Sequence, residues 1–148
     1  MALKQVGDVM PEGIASLMDF GTLLHTVLDD AVSNNQISKP ASSRDHLALA
    51  FACQLADEPI WVGVNFDTPK YLDITPPYVL WKVIEKRGAL EEKGFQSGLR
   101  DNNDIRRQFP LDTNFYDSTI EQQEEALGRF VKETFEIIGE VLKGFTGG

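Results

Sequence analysis

The residues able to do chemistry are few. The chain holds two histidines, His25 and His46, and one cysteine, Cys53. No two of the three sit at a short metal-ligand spacing, and no second cysteine is present to complete a set. Cys53 falls in the apolar register of its segment, so these residues read as a core cysteine and two surface histidines. A Cys/His nucleophilic pair is the alternative, but it needs an orienting third group that the sequence does not supply. The glycine-containing stretches lack the spacing that cradles phosphate, so no nucleotide cofactor is expected. Asp57, Asp67 and Asp73 are the carboxylates to consider as ligands for a hydrolytic metal, with turn acids as the plainer reading. Glu121, Glu124, Glu125, Glu133, Glu136 and Glu140 read as a solvated helix face. Arg100, Arg106 and Arg107 lie beside Asp101 and Asp104, which suggests local pairing across a turn.

Composition narrows the function classes. The chain has 148 residues, 42% of them hydrophobic and 25% charged, and a net charge of −9. The length suits one domain over residues 1–148. The acidic balance argues against a nucleic-acid partner, because binding phosphates takes clustered cations. No apolar run reaches the roughly 18 residues that span a bilayer, so no membrane partner is expected. A lone cysteine and no signal-like N-terminus point to the cytoplasm. Gly147 and Gly148 read as a frayed end or a cloning remnant.

Several elements would have to position any site. Ile14, Leu17, Met18, Gly21, Leu24, Leu28 and Ala31 recur at helical spacing and predict a helix over 12–33. Residues 33–40 read as a loop closed by Pro40. Leu47, Leu49, Phe51, Cys53 and Leu55 alternate, as do Ile60, Val62, Val64 and Phe66, which predicts a hairpin about the turn Ala56–Pro59. After a turn at Asp67–Pro69, Tyr71–Ile74 forms a third strand. Thr75 caps a second helix that runs to Arg87 and stops at Gly88. A second hairpin spans 94–111, with Phe95 and Leu99 facing Ile105, Phe109 and Leu111 about a turn at Asp101–Asp104. Ser118–Glu121 reads as a capping box opening a long amphipathic helix, which Gly144 ends near residue 143.

The second helix stands out. Val79, Leu80, Trp81, Val83 and Ile84 cover an arc of roughly 200° at about 100° per residue. A helix covering one sheet needs only about 100°. The excess predicts that these five residues form a dimer or partner interface, with Trp81 at its margin.

The fold class is therefore α+β: helix, three-strand antiparallel meander, helix, two-strand hairpin, and a long C-terminal amphipathic helix packed on the sheet. This order resembles the type III secretion chaperone-like fold, shared by class I secretion chaperones and YbjN-type bacterial proteins. The likeness spans roughly residues 12–143. It is closest from Phe95–Leu99 through Phe109-Pro-Leu-Asp112 to Ser118–Leu142. The resemblance implies a cytoplasmic, non-enzymatic homodimer that holds an extended client segment. The physics of the chain fits that role, because an antiparallel sheet offers edges for an added strand. Two alternatives stand beside it. One is a metal-dependent nuclease or hydrolase: Glu91-x-Lys93 resembles a restriction-endonuclease-like metal motif but follows the second helix, whereas that motif belongs on the third strand. The other is an acidic inhibitor or immunity-type protein that would bind a basic enzyme with strong salt dependence.

Overall fold

Strand alternation and helical periodicity along the chain resolve into five helices and six strands among the described residues. The computed structural model of the protein describes residues 10–34, 36–38, 41–44, 48–65, 70–97 and 105–146, with side chains for the same residues apart from 10–19, 41–49, 65, 81 and 144–146. The elements are α1 (Met10–Ser33), β1 (Ala41–Arg44), β2 (Ala48–Leu55), β3 (Glu58–Asn65), β4 (Tyr71–Thr75), α2 (Tyr78–Trp81), α3 (Ile84–Glu92), β5 (Gln96–Ser97), β6 (Ile105–Pro110), α4 (Thr113–Tyr116) and α5 (Ile120–Thr146). The strands form one antiparallel sheet in the order β1-β2-β3-β4-β6-β5. The expected α+β architecture is borne out, with β1 as an edge strand that the sequence did not reveal. The turns at Asp67–Pro69 and Asp101–Asp104, and with them Pro40, His46, Phe66, Leu99, Arg100, Gly147 and Gly148, lie outside the described residues. Among the described residues no helix is long and apolar enough to cross a membrane.

The β2–β3 hairpin is tighter than expected. Its loop is Ala56-Asp57 alone, both residues at positive φ (52° and 67°), and Leu55 pairs with Glu58. Two left-handed residues match the twist of the flanking strands. Pro59 consequently lies inside β3, opposite Gln54. It is tolerated because β4 ends at Thr75 opposite Trp61, leaving no partner beyond it for a backbone donor at 59.

Side chains at alternate strand positions divide the sheet into two faces. Phe51, Cys53, Ile60, Val62, Val64, Leu72, Ile74 and Ile105 join Leu24, Leu28, Leu127, Phe135 and Ile138 of the helices in one buried cluster. Phe109 of β6 meets Phe130 of α5 and Phe115 of α4, with ring centroids 5.3 and 5.6 Å apart. α1 and α5 also pack on each other.

Helix ends depart from expectation at three points. The reciprocal cap of α5 is shifted by one residue: Gln122 N–H donates to Thr119 Oγ1 at 3.2 Å, and Thr119 N–H donates to Gln122 Oε1 at 3.0 Å. Ser118 Oγ instead donates to Asn114 O. At its far end α5 runs on through Gly144 to Thr146. Gly88 lies inside α3, and the stop is Gly94 at φ 101°. There Gly94 N–H donates to Glu91 O and Phe95 N–H to Leu90 O, while Leu90 and Phe95 are both buried. That is a Schellman end with its apolar contact.

A Cβ at Gly88 would meet nothing within 4 Å. Gly88→Ala is expected to stabilise the fold by about 0.5–1 kcal/mol, because the helix interior no longer carries glycine's backbone entropy. Thermal unfolding followed by circular dichroism should show a rise of about 2 °C.

Candidate functional site

Of the three candidate metal ligands, the two that are described, Asp57 and Asp73, lie far apart. Asp57 is exposed at the hairpin turn, and Asp67 lies outside the described residues. Asp73 is not a turn acid. It sits in the middle of β4, fully buried, opposite Gly63 and Gln108. Gly63 lies at least five strand residues from Asp57, roughly 16 Å along the strand. Both oxygens of Asp73 are engaged: Arg106 Nη1 donates to Oδ2 at 2.8 Å and Gln108 Nε2 to Oδ1 at 2.9 Å. Metal binding at Asp73 would have to break that pair. Among the described residues no group of three His, Cys, Asp or Glu side chains is placed to hold a metal.

Arg106 and Arg107 find partners far along the chain, while Asp101 and Asp104 lie outside the described residues. Arg106 and Arg107 are adjacent on β6, so their side chains leave opposite faces of the sheet. Arg106 reaches Asp73 on one face. On the other, Arg107 Nη1 donates to Thr134 Oγ1 of α5 at 2.6 Å, its guanidinium lies 4.8 Å from the Phe130 ring centroid, and Glu133 is 3.6 Å away. Arg100 is outside the described residues. These contacts are long-range in sequence, and local charge patterning held no signal for them.

Cys53 is buried beside the core, with Sγ 4.0 Å from Phe51 O. Burial pushes its thiol up to about 12, which removes the thiolate that nucleophilic chemistry requires. His25 pairs with Asp29 at 3.3 Å and tilts against the Phe51 ring, while its side chain stays half exposed.

The second helix is the largest correction. Thr75 belongs to β4, and the helical segment breaks between Trp81 and Ile84. α2 ends at Trp81 with Lys82 as its C-cap, and Val83 is extended (φ −101°, ψ 120°) with no side-chain cap for α3. A β-branched residue favours that extended conformation. The break explains the wide apolar arc: two short helices on different axes share it. Of the five expected interface residues, Leu80 is fully buried in the core of its own chain. Val79 and Val83 are partly buried. The side chain of Trp81 lies outside the described residues. Ile84 is 87% exposed at the first position of α3, and Tyr78, which the sequence reading did not single out, is 59% exposed on α2. Lys82 Nζ lies 5.6 Å from the Tyr78 ring centroid. Two apolar side chains thus stand in solvent at one corner, beside a helix start that lacks a cap.

Comparison with protein-family models, curated proteins and solved structures returns no match.

Two outcomes follow from the buried groups. Asp73→Ala removes the buried carboxylate to which Arg106 and Gln108 donate and is expected to cost about 3–5 kcal/mol in denaturant unfolding, whereas Asp73→Leu/Arg106→Met recovers most of that loss. Cys53 is expected to react with a thiol reagent at pH 8 only after denaturation. Its raised folded value means that stability is unaffected below the unfolded thiol value near 9 and declines as pH rises from there toward about 12.

Proposed function

We propose that the protein is a non-enzymatic protein-binding module of the cytoplasm, chaperone- or adaptor-like, that works as a homodimer holding a partner segment. One observation carries this reading: Ile84 stands 87% exposed at the α2–α3 corner, beside Tyr78 at 59%. Single exposed apolar residues are common, but here the exposure coincides with an uncapped helix start and a broken helix. Local rules broken together at one place mark a site that another contact completes. The element order, with its likeness to the type III secretion chaperone-like fold, supports the same reading. So does the sheet edge at β1, where an extended client could add a strand.

The burial of the carboxylate at Asp73 and of the thiol at Cys53 favours binding over hydrolysis, since both groups are committed to the folded core. Of the five residues expected at the interface, Ile84 is the one whose exposure supports the reading, while Leu80 is buried in its own chain.

Ile84→Asp separates this role from a purely structural one. An acid in the first turn suits the helix dipole, so folding stability should stay the same or rise by about 0.3–1 kcal/mol. Sedimentation should show the wild type as a dimer at high micromolar concentration and the variant as a monomer. A variant as dimeric as the wild type would remove the corner from the binding surface.

A further inference from the structure

We propose that the occupant of the α2–α3 corner is a second copy of this chain, docked by an isologous two-fold contact that packs Ile84 against Ile84 and sets Glu85 of one protomer against Lys82 and Lys86 of its partner. The inference rests on the binding reading above and specifies its partner and geometry.

The charge pattern argues for self-contact. A two-fold axis turns a patch onto itself, so the patch must carry both signs around an apolar centre. The sequence from Lys82 to Lys86 does so, with Ile84 and Glu85 between two lysines. Lys82, Ile84 and Glu85 are exposed and Lys86 is half-buried. None of the three charged residues has an ion-pair partner among the described residues. A face made for a partner of one sign would itself carry the other sign alone. Arg87 is already committed, with Nε donating to Ser97 Oγ at 3.1 Å.

The long-range field selects the same place. Each copy carries a net charge of −9, so two copies repel over most of their surfaces. The exposed side of α5 bears Glu121, Glu125, Glu133, Glu136 and Glu140 against Arg129, Lys132 and Lys143, a net negative face that disfavours contact there. Between residues 82 and 87 the chain holds three cations and one carboxylate, so the corner does not carry the chain's negative excess, and the contact relies on Glu85 of each copy meeting the lysines of the other. So compact a corner makes an interface at the small end of the specific range, below about 1,200 Å² in total. Association is accordingly concentration-dependent.

The test is sedimentation equilibrium of the full chain across the micromolar range, with circular dichroism to check folding. Glu85→Lys alone, or Lys82→Glu/Lys86→Glu alone, leaves a rim of one sign and should raise the dimer dissociation constant at least about tenfold. An equimolar mixture of the two variants should restore dimerisation as a heterodimer. A wild type that stays monomeric at every concentration overturns both this proposal and the homodimer in the functional reading. A wild-type dimer that is untouched by either charge variant and by Ile84→Asp overturns the corner alone and leaves the dimer standing. Dissociation by the variants without mutual rescue overturns the two-fold geometry.

Discussion

β6 carries two adjacent arginines whose side chains must leave opposite faces of the sheet, and much of the architecture hangs on that alternation. Arg106 closes a fully buried ion pair with Asp73 on β4, and Gln108 takes the second carboxylate oxygen. Arg107 crosses to α5, where Thr134, Glu133 and the Phe130 ring receive it. A slip of one residue between β4 and β6 would reverse both, sending Arg106 toward the helices and Ile105 away from the core. A charge buried without its partner is far costlier than a lost contact. The pair therefore disfavours alternative registers more than it adds net stability. The same strand thereby ties the sheet interior to the long C-terminal helix.

That anchoring bears on function. Asp73 is held by two donors and Cys53 is kept protonated by burial, so neither of these two groups is free to act on a substrate. Among the described residues the fold leaves apolar side chains outward on two short helices. Leu80 and Leu90 hold α2 and α3 to the core, while the extended Val83 between them swings Ile84 into solvent. The exposed corner arises from a break in regular structure, and the binding role proposed for it uses the exposure that the break creates.

Local pattern carried much of the fold. The helix of residues 10–33, the strands of the meander and the long final helix were legible because side chains repeat at periods of 3.6 and 2, which a short window of sequence contains. Misreadings cluster where two local choices are nearly equal. Ser118 and Thr119 are both competent caps, and the position of Gln122 decided for Thr119. Gly88 and Gly94 are both competent stops. Only Gly94 places Phe95 where it can be buried with Leu90, so packing chose it.

The sequence by itself determined the α+β class, the order of the main elements apart from β1, α4 and the split second helix, and the inward faces of the strands and the last helix, because these depend on neighbours a few residues apart. Tertiary structure decided which polar groups were consumed and which apolar ones were left out. Arg106 meets an acid 33 positions away, a partner that no local pattern could indicate. Leu80 and Ile84, indistinguishable on a helical wheel, end on opposite sides of the surface because the chain turns at Val83. Both outcomes depend on how separate elements pack. Side-chain periodicity specifies which way a residue faces along its own element, but carries no information on what will lie opposite it.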